Sequence, residues 1–303
     1  KGTTSEALHG CDNRAVTSTA DSAARTATSV TMAMTTTAPS APSNASATSA
    51  SPSSLPGAAT SRAVVDLEAV AHNGRLLAQV AGVPWMAVVK ADAYGHGLGP
   101  IALTALSAGA SWLGVAQLAE ALTLRTLLDE AGVARPAGKP TSEAPRVLTW
   151  LVPVMDPAGV AADDSPLRAA LAADLDLSVS TLPQLEALVA AARAQGVPAR
   201  LHLKVDTGMS RGGAVEEDLP ALVAALRRAA DEGAVDVVGL WSHLSRADEP
   251  TSGSTEEHLA RYRQAEQIVR GAGLNPPLHH VAATGGLLWH PAARMDLVRV
   301  GIG

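Results

Sequence analysis

Short apolar runs recur along most of the chain: Trp85–Val89, Trp112–Val115, Val147–Val152, Leu175–Val179, Leu201–Val205, Val235–Leu240, Leu278–Ala282 and Met295–Val300. Each has the length of a strand buried on both faces. Between most of them lie stretches with apolar residues at helical spacing, namely Leu118–Leu128, Leu182–Ala194, Leu219–Ala230 and His258–Val269. Leu67, Val70, Leu76, Leu77 and Val80 show the same spacing ahead of the first run, so order is expected to begin near Val64. Strands alternating with helices predict βαβ units and parallel pairing. Eight such units predict a closed (β/α)8 barrel of the TIM type. A doubly wound open sheet makes the same local predictions and differs only in strand count. No G-x-G-x-x-G follows the first run, so the dinucleotide-binding form of that sheet has no support.

Residues 1–60 have another texture, with Ser, Thr, Ala and Pro and few large apolar side chains. Such a segment buries too little surface to offset its ordering entropy and is expected to be a disordered tail. Met32-Ala33-Met34 among threonines is no secretory apolar stretch, although a targeting or translated upstream segment stays open. The barrel is expected over residues 61–303. The chain starts on Lys1 and stops at Gly303 just after an apolar run, which is expected of a fragment cut at its C-terminal end.

Composition narrows the picture. Aromatic residues make up 2% of the chain and Phe is absent, so the core is expected to be Ala, Val, Leu and Ile. The formal net charge of −6 includes no basic block, which argues against nucleic acid. Cys11 is the only cysteine; this excludes an internal disulfide and a multi-cysteine metal site, and no metal is expected. A reducing, cytoplasmic setting is favoured. Tyr94–Ala119 carries no Asp, Glu, Lys or Arg, but its glycines and Pro100 break it into helix then strand, so no membrane span is expected.

In such a barrel, chemistry sits at the C-terminal strand ends. There the first run meets Lys90-Ala91-Asp92-Ala93-Tyr94-Gly95-His96-Gly97, a lysine at the start of what is expected to be a glycine-rich loop. Partial desolvation would make this amine nucleophilic, although by position alone it reads as a strand-end lysine reaching solvent. The fifth run leads through Lys204 into Asp206-Thr207-Gly208-Met209-Ser210-Arg211, the sixth into Trp241-Ser242-His243, the seventh into Ala283-Thr284-Gly285-Gly286 and the eighth into Arg299-Val300-Gly301-Ile302.

Ala87–Gly97 closely resembles the cofactor-lysine signature of alanine racemases, and the resemblance continues over almost all of Ser61–Gly303. That family has a (β/α)8 barrel followed by a β-rich domain, which is expected to be missing from this chain, and acts as a homodimer with its sites at the subunit interface. The resemblance implies pyridoxal 5'-phosphate as cofactor, held covalently by Lys90, which also serves as one of two acid/base groups. It implies that Tyr94 reaches the cofactor phosphate. Arg211 is implied to contact the phenolic oxygen and the substrate carboxylate, Lys204 to be the lysine that is carbamylated in many members, and His243 to be the active-site histidine. Thr284, Gly301 and Ile302 are implied to bind phosphate, and Arg299 to face the pyridine nitrogen. Ala283 departs from the family's usual Asn, and Val300 from its usual Pro. Without the second domain, the resemblance implies weak cofactor binding and little turnover.

The function implied is interconversion of L- and D-alanine, supplying D-alanine for peptidoglycan. Serine or broad-specificity racemases share these barrel motifs. A non-enzymatic barrel that carries pyridoxal phosphate shares the lysine but lacks the Arg211 motif. A related barrel decarboxylase is expected to place an acidic residue where this chain has Arg299.

Overall fold

The computed structural model describes residues 63–302, so the tail expected over 1–60 lies outside the described residues. Eight strands form one all-parallel sheet: β1 (Trp85–Val88), β2 (Trp112–Gln117), β3 (Arg146–Leu151), β4 (Asp176–Val179), β5 (Ala199–Lys204), β6 (Val235–Trp241), β7 (Leu278–His280) and β8 (Val298–Val300). Their order is β7-β6-β5-β4-β3-β2-β1-β8, so every sequential pair from β1 to β7 is adjacent and β8 returns to β1. A thin seam closes the ring. Ala283 bridges Arg299, the Arg299 N–H donates to the Ala282 carbonyl at 2.9 Å, and the Asp296 N–H donates to that of His279 at 3.1 Å. The arrangement is the expected (β/α)8 barrel and excludes the open sheet.

The expected bounds of β7 and β8 were longer. Met295 adopts φ 47°, a left-handed conformation that no strand admits, so β8 starts three residues later.

Helix α1 (Leu67–Ala81) precedes the barrel, and Asp66 caps it by accepting from the Glu68 and Ala69 N–H groups. The connections then carry α2 (Lys90–Gly95), α3 (Leu98–Ser107), α4 (Leu118–Glu130), α5 (Pro157–Ala161), α6 (Pro166–Ala172), α7 (Leu182–Gln195), α8 (Leu219–Asp231), α9 (Ser254–Gly271) and α10 (Thr284–Trp289). Most are regular. Thr181, for instance, caps α7 through the Gln184 N–H, and Pro183 sits in its first turn, where no intrahelical donor is lost.

The layer between strands and helices is built from Ala, Leu and Val as composition predicts. The barrel interior is not. Met86, Trp112, Leu148 and Leu297 fill one level. A further set is aromatic and polar: Trp112 meets His202 edge-on, with centroids 5.4 Å apart, and Trp241 stacks on His280 at 5.4 Å and 9°. A register shift between β5 and β6 sets Gly239 opposite His202. A Cβ at Gly239 would lie 2.2 Å from His202 Nδ1, so the imidazole occupies the volume that any larger residue would fill.

Candidate active site at the barrel mouth

Lys90 follows β1 directly and is half-buried. The segment after it is not the expected glycine-rich loop. Ala91, Asp92, Ala93 and Tyr94 all have φ between 51° and 57°, so α2 winds left-handed. Each such L-residue costs about 1–2 kcal/mol, and specific partners offset this. Glu120, in the first turn of α4, accepts from the Ala91 N–H at 2.6 Å with one oxygen, and from the Ala116 and Gln117 N–H groups with the other. Asp92 accepts from the Leu98 N–H at 2.7 Å. The left-handed turn carries Tyr94 across to the end of β8, where its hydroxyl lies against Gly301. Burial raises the Tyr94 pKa, and the backbone at Ile302 partly offsets the rise. A Cβ on Gly301 would sit 2.3 Å from the Tyr94 hydroxyl oxygen, so only glycine leaves this cradle open. The Thr284 hydroxyl joins it, accepting from the Gly301 N–H at 3.3 Å. Ala283 holds the N-cap position of α10, so Thr284 opens that helix.

After β5, Asp206 shapes the next loop by accepting from the Gly208 and Ser210 N–H groups at 2.8 and 3.1 Å, and Arg211 emerges exposed beyond it. Lys204 Nζ lies 5.0 Å over the Trp241 ring. Its pKa is lowered by burial first and then by Arg211 and Arg299, against Asp206.

Arg299 is 4% exposed and anchors the centre of the mouth. Nη1 donates to the His280 carbonyl at 2.8 Å and contacts its Nδ1 at 3.1 Å. Nη2 donates to the carbonyls of Ser242 and Val281 and lies 3.1 Å from His243 Nδ1. Nε has no partner among the described residues. Burial pulls the Arg299 pKa down to about 9, with Arg211 adding to the fall, and the group stays cationic at neutral pH. Arginine only donates, so His243 Nδ1 must accept and the His243 proton sits on Nε2. Burial, reinforced by Arg299, Arg211, Lys204 and Lys90, lowers the His243 pKa to about 3.

Lys90, Lys204, Arg211 and Arg299 thus gather around one neutral imidazole beside backbone N–H groups and hydroxyls. Such a constellation suits a ligand with negative charge.

One functional group escaped the sequence reading. His258 of α9 accepts or donates at both ring nitrogens, to Thr207 Oγ1 at 2.8 Å and to Ser245 Oγ at 2.9 Å, while Thr207 Oγ1 also meets Ser242 Oγ at 2.8 Å. The Arg261 guanidinium donates to the Thr207 carbonyl at 3.1 Å. Together α9 clasps the two loops that carry Arg211 and His243. Within the helical pattern of α9 nothing marks His258 out.

Fold and mouth define a class: a (β/α)8 barrel whose strand ends hold a half-buried lysine beside an anion cradle and a buried arginine. The chain belongs to the alanine racemase family; the model of that family's N-terminal domain matches residues 65–303. A curated alanine racemase from Beutenbergia cavernae is 49% identical over 243 residues, 80% of this chain and 58% of that relative. The solved alanine racemase from Streptomyces coelicolor A3(2) shares 43% identity at a TM-score of 0.69, covering 78% of this chain and 58% of that one. The alanine racemase from D-cycloserine-producing Streptomyces lavendulae shares 39% at a TM-score of 0.69, covering 78% and 56%. The chain therefore spans less than two thirds of the length of these relatives.

Proposed function

We propose that the chain is the cofactor-holding barrel of a pyridoxal-phosphate-dependent enzyme that interconverts L- and D-alanine, supplying the D-isomer for peptidoglycan. The observation that carries this reading is the Lys90–Tyr94–Gly301 constellation. A left-handed turn sets Tyr94 against a cradle only glycine leaves open, one turn from the strand-end amine.

The residues present fit the group. Tyr94, Thr284 and the backbone N–H groups of Gly301 and Ile302 would hold the phosphate, Lys90 would bind the aldehyde carbon, and the free Nε–H of Arg299 would face the ring nitrogen. When bound, pyridoxal phosphate acts as an electron sink that acidifies the amino acid's Cα–H bond.

The protein's own part is positioning and proton exchange. Arg211 orients the substrate carboxylate through its planar fork of donors. Lys90 takes or returns a proton at Cα on one face. His243 is neutral and offers the Nε2–H as a hydrogen-bond donor, not as an acid. Neither tyrosine of the chain is placed for the opposite face. Tyr94 lies in the phosphate cradle, and Tyr262 donates to the Leu240 carbonyl at 2.8 Å. The resemblance implies two acid/base groups and sites at a subunit interface, so the group on that face is expected from a second subunit and the working enzyme is a homodimer.

Lys204 is the candidate for carbamylation. Its lowered pKa enlarges the neutral amine fraction that can add carbon dioxide and release a proton. The resulting carbamate would sit beside Arg211. Incorporation of 13C-bicarbonate into wild-type protein but not Lys204→Ala checks this; a label absent from both refutes it.

Arg299 is expected to keep the ring nitrogen unprotonated and so to restrain side reactions such as transamination. In the full-length holoenzyme, Arg299→Glu should raise transamination relative to racemisation of alanine. An unchanged ratio would remove that role, and absence of alanine racemisation in the wild type would remove the function itself.

A further inference from the structure

We propose that Asp176, His202 and His280 are positioning residues for Arg299, joined to it by a one-way chain of hydrogen bonds through the barrel interior. Arg299 Nη1 lies 3.1 Å from His280 Nδ1, His280 Nε2 lies 3.0 Å from His202 Nδ1, and His202 Nε2 lies 3.1 Å from Asp176 Oδ2. The inference rests on the reading that places Arg299 against the cofactor ring.

The direction of the chain follows from donor and acceptor chemistry alone. A guanidinium only donates, so His280 Nδ1 accepts and the His280 hydrogen is on Nε2. That hydrogen requires a lone pair on His202 Nδ1, which puts the His202 hydrogen on Nε2, pointing at Asp176. A carboxylate only accepts, so the far end demands the same order. Flipping or protonating either ring would set two donors face to face at one of the three links. Both imidazoles are thus neutral and of fixed tautomer, with a cation at one end and an anion at the other.

The surroundings hold this order. All four of Asp176, His202, His280 and Arg299 are buried, and the two histidines and Asp176 are fully so. The second Asp176 oxygen is held by Arg146 Nε at 3.2 Å and Arg200 Nε at 3.0 Å. Burial alone would raise the Asp176 pKa; His202, Arg146 and Arg200 outweigh it and hold the carboxyl below its usual value. The stack on Trp241 and the edge contact with Trp112 fix the ring planes, and Gly239 leaves room for His202. The chain therefore takes up a guanidinium nitrogen from beneath, leaving Nε as the free donor. An arginine lacking this support would be free to turn its Nη groups toward the mouth.

The test uses the full chain, 15N-labelled at histidine and arginine, without cofactor at pH 7. The spectra should show His202 and His280 neutral with the hydrogen on Nε2 in both. Exchange of the Arg299 Nε–H with solvent should then be compared in two variants. His202→Leu cuts the chain and should speed exchange about tenfold, the scale of one lost buried hydrogen bond. His202→Gln can donate to Asp176 and accept from His280, and should exchange within about twofold of wild type. A hydrogen on Nδ1 of either ring, a doubly protonated ring, or equal exchange in the two variants would overturn the proposal. The wild-type spectrum decides even if His202→Leu does not fold. Loss of the cofactor reading would appear separately, as failure to label Lys90, and would leave these spectra unchanged.

Discussion

Single residues set the electrostatics of the mouth, and His243 shows how. Its folded pKa of about 3 lies far below its ordinary value because it is buried among cations. The unfolded chain takes up a proton on this ring as pH falls below about 6.5, while the folded chain does not until about 3. Between those values the unfolded state binds more protons, so the contribution of His243 to stability falls with falling pH. At pH 5 the loss is about 2 kcal/mol relative to neutral pH. Denaturant melts of cofactor-free protein at pH 7 and pH 5 should show that drop, and His243→Gln should shrink it. An equal drop in the variant would show that the ring is not the source. The same residue illustrates what sequence could and could not reveal. Its place after β6 was legible from the apolar run that ends there, but its protonation state depends on Arg299, which lies 56 residues further along the chain.

Among elements, the helices and strands with clear period were legible, and the segments with unusual backbone were not. α4, α7 and α8 fall within a few residues of their expected bounds because apolar spacing and end residues such as Thr181 agree. The left-handed α2 has no sequence signature. Ala-Asp-Ala-Tyr favours no positive φ, and what holds it is Glu120, 29 residues away from Ala91. Glu120→Ala would strand the N–H groups of Ala91, Ala116 and Gln117, and is expected to destabilise the fold by about 1–3 kcal/mol. It should also weaken retention of pyridoxal phosphate, since Tyr94 rides on that turn. Thermal melts and cofactor titration check both effects; unchanged values in each would mean that α2 is held by other contacts. The histidine chain beneath Arg299 was hidden for a related reason. Its links join residues 26, 78 and 19 apart, on four different strands, and only closure of the barrel makes them neighbours.

For the whole molecule, closure at the β7–β8 seam is what assembles the site. It brings Arg299 of β8 under His243 and beside His280, while pairing of β8 with β1 sets Gly301 and Ile302 against Tyr94. The count of eight apolar runs was enough to anticipate that ring. Among the described residues no helix is long and apolar enough to cross a membrane. The chemistry assigned to the assembled mouth depends on one bond, between the strand-end amine and an aldehyde. Borohydride reduction of the protein with pyridoxal phosphate, followed by peptide mapping, reads that bond directly. The account predicts a phosphopyridoxyl group on Lys90 that is lost in Lys90→Ala. Label confined to other lysines, with Lys90 unmodified, would contradict it.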